Sequence, residues 1–312
     1  MKRGPRMIFQ GVLPAITTAF GANLNIDHGF VGEHARRLIA AGCTGLVALG
    51  SLGEAATLTE AEKLAVLGTL ARVLAGRAPL VAGISALSTT AAVELARAAE
   101  AAGCAGLMVL PPYVYEGDWA EMKAHVGAIL RATRLPAMLY NNPVAYGTDF
   151  HPEQIAELAA QHANLEAVKE SSTDARRVTA IRALCGDRLQ ILAGVDDCVL
   201  ESVAMGASGW VAGVANALPE ATVEMFNAAR GNQPARASEL YHWLLPVLRM
   251  DTVPKFVQLI KLLQQEADLG NERVRPPRLV LAGAERAAAL ETMRAVLARR
   301  DRLIAAPAGS RA

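Results

Sequence analysis

Only six of the 31 basic residues are lysine, at positions 2, 63, 123, 169, 255 and 261. Lys169 stands apart because it ends a short apolar run, Leu165-Glu166-Ala167-Val168, just before the chain turns polar through Glu170, Ser171 and Ser172. Arginine could supply charge there, but only a primary amine can lose its proton and add to a carbonyl carbon. A strand-end lysine can also snorkel its head to water, and for Lys169 taken alone that is the simpler account. Tyr140 alters the balance. It ends a second apolar run, 135–140, and if the two runs form adjacent strands their last side chains meet. An amine held among Leu139, Val168 and neighbouring apolar strands loses solvation, and its pKa falls. It can then condense with a carbonyl to give a Schiff base that draws electrons, while the phenol moves the protons.

The elements around these two residues alternate regularly. Apolar runs of about five residues, beginning with 11–17, are followed by helical stretches such as 59–74, 88–102, 119–131, 152–160, 174–184, 196–205 and 219–230. Asp27 and Ser88 are candidate helix caps. The pattern Ala41-Gly42-Cys43-Thr44-Gly45-Leu46-Val47 returns as Ala102-Gly103-Cys104-Ala105-Gly106-Leu107-Met108, and more weakly as Met205-Gly206-Ala207-Ser208-Gly209-Trp210-Val211. Each copy closes a helix with glycine and opens a strand. Runs this short and apolar suit a parallel sheet covered on both faces. A doubly wound sheet competes, but no GxGxxG follows the first strand, and eight units favour a closed (β/α)8 TIM barrel. The expected division is a catalytic barrel over residues 1–230 and a C-terminal helical segment, 231–312, packed on it. Residues 304–312 are expected to fray.

In such a barrel the reactive groups follow the strands. Those positions hold Gly50-Ser51-Leu52-Gly53-Glu54, Pro111-Pro112-Tyr113, Tyr140-Asn141-Asn142-Pro143, Lys169, Gly194-Val195-Asp196-Asp197 and Gly213-Val214-Ala215-Asn216. The glycine-flanked Ser51 turn can aim N–H groups and a hydroxyl at an anion, although most such turns are purely structural. Gly50, Ser51, Leu52, Asn142, Gly194, Val211 and Ala212 are the expected substrate-binding positions. Asp196 and Asp197 offer hydroxyl-binding groups, with capping of the next helix the plainer role for Asp196.

Together, Gly50-Ser51-Leu52-Gly53-Glu54, Tyr140-Asn141-Asn142-Pro143, Val168-Lys169-Glu170 and Gly206…Gly209…Asn216 resemble the dihydrodipicolinate synthase / N-acetylneuraminate lyase family over nearly the whole chain. The resemblance implies a barrel with Lys169 as Schiff-base lysine, Tyr140 as proton-shuttling tyrosine and a 2-oxo acid carboxylate at Gly50 and Ser51. It also implies a homotetramer, a dimer of dimers, in which Tyr113 matches a tyrosine reaching across a subunit interface. Two departures narrow the reaction. The synthase pattern has two threonines where this chain has Ser51 and Leu52, and leucine passes no proton, so a Tyr–Thr–Tyr relay is expected to break there. The synthase's arginine after YNxP is Ala145 here. Ser51 together with YNNPVAYG is similar to catabolic members, closest to 1-pyrroline-4-hydroxy-2-carboxylate deaminases, so dehydration and ammonia release in hydroxyproline breakdown is the expected activity. The alternatives are a 2-oxo-3-deoxy sugar acid aldolase or dehydratase, then 4-hydroxy-tetrahydrodipicolinate synthase, then a non-catalytic small-molecule binding protein.

A net charge of +1 offers no case for nucleic acid or an anionic membrane as partner. No apolar run approaches a membrane span, and the basic start lacks the apolar stretch of a signal peptide. Four cysteines without CxxC spacing suit reduced thiols in the cytoplasm. Six histidines show no HxH or HExxH spacing, so neither metal nor other cofactor is expected. The expected partner is a small 2-oxo acid or cyclic imino acid.

Overall fold

A computed structural model describes residues 8–304. The expected basic start and frayed end lie outside these residues, apart from Ile304. Eight parallel strands run β1 (Gly11–Pro14), β2 (Leu46–Ala48), β3 (Leu80–Ile84), β4 (Gly106–Val109), β5 (Ala137–Asn141), β6 (Leu165–Glu170), β7 (Gln190–Ala193) and β8 (Gly209–Ala212). They hydrogen-bond in the order β1-β8-β7-β6-β5-β4-β3-β2. The bridge between Ala15 and Val47 joins the two ends, so the sheet closes into a TIM barrel.

Strand alternation divides the core into two shells. Leu13, Val47, Val81, Met108, Met138, Ala167, Leu192 and Val211, one from each strand, fill the barrel interior, with Tyr140 above Met138. Their neighbours, among them Val12, Ala48, Ile84, Val109, Leu139, Val168, Ala193 and Ala212, pack outward under the helices. Gly42, Gly103 and Gly206, which close the three related sequence copies, all have positive φ, the left-handed helix exit that glycine permits. Asp27 and Ser88 cap their helices as expected.

Strand β6 departs from simple alternation, and the departure decides where Lys169 points. Ala137 pairs with Leu165, yet Met138 pairs with Ala167, leaving Glu166 as an extra, exposed residue. Leu165 faces the outer shell and Ala167, two residues on, faces the interior. Were Glu166 in regular alternation rather than bulged, Lys169 would share Leu165's outward face. A bulge of this kind re-aims every side chain that follows it. It sets Lys169 directly opposite Tyr140. It also makes Lys169 a member of β6, whereas the sequence suggests a position just after the strand.

Beyond the barrel helix Pro219–Arg230, the helices Pro234–Leu248, Phe256–Glu266 and Gly283–Leu297 pack against the barrel and one another. One tie to the barrel is ionic and dry. Lys261 Nζ donates to Glu54 Oε1 at 2.6 Å and to the Thr18 carbonyl at 2.8 Å, and lies 4.4 Å from the Phe20 ring centroid. Glu54 Oε2 accepts the Arg275 N–H at 3.1 Å. Both Lys261 and Glu54 are buried. Removing one partner strands the other's charge in the interior, so Lys261→Met should lower unfolding stability by about 3–5 kcal/mol in urea titrations. The double variant with Glu54→Gln should lose less than the two singles summed. For the bulge, Glu166→Ala should leave activity close to wild type, and deleting Glu166, which turns the bulge into simple alternation with Lys169 still opposite Tyr140, should preserve borohydride trapping of pyruvate.

Candidate active site

The mouth of the barrel gathers Lys169, Tyr140, Tyr146, Ser51, Ser171, Asp196 and Asp251. Lys169 is buried, and its stem passes over Gly194: a Cβ there would lie 2.7 Å from Lys169 Cε and 2.0 Å from Ser171 Oγ. Gly194 is therefore a residue of close approach that leaves room for the lysine. Lys169 Nζ sits 4.0 Å from the centroid of the Tyr140 ring. Burial lowers the lysine's pKa, partly opposed by the charges of Asp251, Tyr146 and Asp196. Burial thus favours the free amine, and the acids nearby limit that shift.

Tyr140 is also buried, and loss of hydration raises its pKa to about 12. Its hydroxyl accepts from Asn142 Nδ2 at 2.9 Å, while Asn142 Oδ1 accepts the Ala145 N–H at 3.0 Å and caps the short helix Pro143–Tyr146. Asn142 therefore orients the phenol, where the sequence suggests contact with substrate. That short helix delivers Tyr146, whose ring meets Tyr140 edge-on at 5.7 Å and whose hydroxyl makes a short hydrogen bond with Ser51 Oγ. The glycine turn's hydroxyl thus joins the tyrosines through Ser51. Leu52 turns the other way, into an apolar cluster with Val257, Ile260 and Val274. Its side chain packs in that cluster rather than against the tyrosines, where the sequence suggests contact with substrate. Gly50 begins the same turn, whose last residue, Glu54, returns its N–H to the Ser51 carbonyl.

Two other positions also differ from the sequence reading. Ala212 faces the outer shell, away from the mouth, because it alternates with the inward-facing Val211. Asp196 does not cap a helix. Its carboxylate accepts from Trp210 Nε1 at 2.9 Å and from the Gly213 and Val214 N–H groups at 3.0 and 2.8 Å, fixing the loop after β8. Burial raises its pKa to about 6 despite these donors. Asp197 is more exposed and lies 3.8 Å from Arg249 Nε. Tyr113 is half-buried, within electrostatic reach of Tyr146.

Three mouth residues had no role in the sequence reading. Tyr146 lies six positions after Tyr140 across a helical turn, a spacing with no periodic signal. Ser171 Oγ is buried without a hydrogen-bond partner. Asp251 comes from the C-terminal segment, in a short helical turn, Arg249–Thr252, and its Oδ1 is likewise buried and unpartnered. A Cβ on Gly213 would lie 2.1 Å from that oxygen, so the carboxyl rests directly on the glycine that follows β8.

A desolvated amine, two phenols and a hydroxyl-bearing glycine turn thus stand at the C-terminal rim of the barrel, and the chain as a whole is similar to known proteins. The dihydrodipicolinate synthetase family matches residues 8–296. The 4-hydroxy-tetrahydrodipicolinate synthase of Methanopyrus kandleri is 34% identical over 241 residues, 77% of this chain and 80% of that protein. The Agrobacterium fabrum protein of the same name is 33% identical over 86% of this chain and 92% of its own. Among solved structures, a dihydrodipicolinate synthase of Bacillus anthracis aligns with TM-score 0.88 at 28% identity, covering 92% of this chain and 98% of that one. A family member from E. coli K12, solved in complex with pyruvate, aligns with TM-score 0.88 at 25% identity over 93% and 99%. The chain belongs to the dihydrodipicolinate synthetase family of class I, Schiff-base-forming lyases.

Proposed function

We propose that the protein is a lyase acting through a Schiff base on Lys169, and that its substrate is 1-pyrroline-4-hydroxy-2-carboxylate, from which it eliminates water and releases ammonia. One observation supports the substrate assignment: the ionisable side chains acting on the amine, Asp251, Tyr146 and Asp196, are all acids, and none is a cation. Ala145, on the turn that delivers Tyr146, offers no cation for a second carboxylate. Such a mouth disfavours a dianionic partner and favours a substrate with one carboxylate, held at Gly50 and Ser51, and a hydroxyl or ammonium at its far end.

In this reading the Lys169 amine adds to the C2=N carbon of the ring. Tyr140, held protonated by burial, donates its proton to the departing ring nitrogen, and the ring opens as the lysine imine forms. The phenolate left behind takes a proton from C3, giving an enamine. The enamine's electrons then re-form the C2 iminium, make the C3–C4 double bond and expel the C4 oxygen as water. Loss of a proton from C5 and its replacement at C3, then protonation at C4, carry the unsaturation to a C5 imine. One water hydrolyses that imine and releases ammonia, and a second frees C2 from the lysine. The net change is substrate plus one water to 2-oxoglutarate semialdehyde plus ammonia. A homotetramer in which Tyr113 serves a neighbouring site belongs to the same proposal. It is supported by the exposed apolar side chains Val114 and Tyr115 beside it and Val144 on the Tyr146 turn.

A second reading, a 2-oxo-3-deoxy sugar acid aldolase or dehydratase, draws support from the unpartnered Ser171 and Asp251, which give a polyol more to bind than the apolar mouth expected from sequence. An ammonia-release assay on the pyrroline, run beside a sugar-acid panel, separates the two. Turnover of the sugar acids without ammonia from the pyrroline would transfer the assignment.

Lys169→Ala should retain the fold by circular dichroism while losing borohydride trapping of pyruvate and all detectable turnover. Wild-type turnover in that variant would refute the Schiff base. Tyr140→Phe should cost about 10²–10⁴-fold in kcat, the usual worth of a positioned proton-transfer group. The pH profile follows from the sign of the lysine's shift. The reactive form is the free amine, and a lowered pKa moves its appearance to lower pH. Trapping rates should therefore rise with pH to a plateau, through a midpoint below the ordinary lysine value of about 10.4.

A further inference from the structure

We propose that Asp251, supplied by the C-terminal segment, is the acid that protonates the departing C4 hydroxyl. The proposal rests on the elimination reading above and names the group that this reading leaves without a donor. In the ring of strands, Lys169 on β6 stands opposite the Ser51 turn after β2, and the substrate spans the two. Tyr140 on β5 and Tyr146 flank that line on one side. Gly213, which follows β8, lies on the other, two strands from β6 and two from β2, and carries the Asp251 carboxyl directly upon it. A substrate bound to Lys169 with its carboxylate at Ser51 thus has phenols on one flank and a single unbonded carboxyl on the other.

The proton belongs on Asp251 rather than on its neighbour. Asp196 receives N–H donors from Trp210, Gly213 and Val214, which stabilise its charge, whereas Asp251 Oδ1 receives none. Burial first, and Asp196's charge second, push Asp251 well above the usual carboxylate range. A neutral carboxyl with a free oxygen beside the enamine can give its proton as the C4–O bond breaks. The enamine's electron pair moves to C3–C4, the hydroxyl leaves as water, and Asp251 is left as carboxylate beside the new iminium. The C3 proton restores Tyr140, and the proton released when water frees C2 from the lysine iminium returns to Asp251 before the next turnover. No oxidant or second substrate enters.

The test uses the full-length enzyme and Asp251→Asn, which keeps the shape of the side chain and removes the transferable proton. Borohydride trapping of pyruvate and exchange of the pyruvate methyl protons in D2O should persist, reduced far less than ammonia release, because neither step needs the proton of Asp251. Ammonia release from the 4-hydroxypyrroline should fall at least 100-fold. The 4-fluoro analogue, whose fluoride departs with little need of a proton, should restore most of the loss, read as fluoride release. Gly213→Ala, which displaces the carboxyl, should give the same pattern. Ammonia release by Asp251→Asn within threefold of wild type, or an equal loss on hydroxyl and fluoro substrates, would overturn Asp251 as the acid while leaving the elimination reading in place. A wild-type enzyme that traps pyruvate but releases no ammonia would overturn both.

Discussion

The structure depends on keeping a primary amine dry. Moving an ammonium out of water costs several kcal/mol even after relaxation, and a barrel interior of Leu13, Val47, Val81, Met108, Met138, Leu192 and Val211 offers nothing to repay that cost. The cost is met in two ways. The lysine's affinity for its proton drops, and the groups set around it are acids and phenols rather than cations. Most features of the mouth follow from that arrangement: a bare Gly194 to let the stem pass, an aromatic face beneath the nitrogen, and carboxyls at the β8 side.

Much of this was legible in the chain itself. Short apolar runs separated by helical periodicity read as a closed parallel barrel, and the pairing of Lys169 with Tyr140 followed from treating 135–140 and 165–169 as neighbours. The illegible parts share a cause, which is that side-chain direction within a strand hangs on a single-residue parity. Sequence position alone puts Leu52 and Ala212 in the mouth, but strand alternation turns Ala212 outward, and the glycine turn lays Leu52 against Val257, Ile260 and Val274. Glu166 leaves only the faint sign of a charged residue in an otherwise apolar run, yet it sets the face on which Lys169 emerges. Asp251 was hidden differently. It falls at the end of a stretch that reads as plain helix, and only packing across 38 to 82 residues of sequence brings it to Gly213 and Lys169.

The glycine turn shows how the two parts of the chain share one job. Its last residue, Glu54, adopts a left-handed backbone and is gripped by Lys261 and by the Arg275 N–H. The hydroxyl that faces Tyr146 and the carboxylate that faces Lys261 lie three residues apart. The barrel therefore supplies the turn, while the C-terminal helices hold one end of it still. That a buried ion pair does this, where an apolar contact could pack as well, fits a need for one fixed geometry more than a need for stability.

The resting place of Asp251 on Gly213 bears on how the protein comes into being. A ribosome releases Lys169 and its flanking tyrosines well before the segment that carries Asp251, so a half-made chain can close strands around the amine while one wall of its mouth is still missing. The wall at Gly213 is filled only when the segment carrying Asp251 has been synthesised and has docked on the barrel. Assembly of the mouth within one chain is thereby tied to the docking of that later segment.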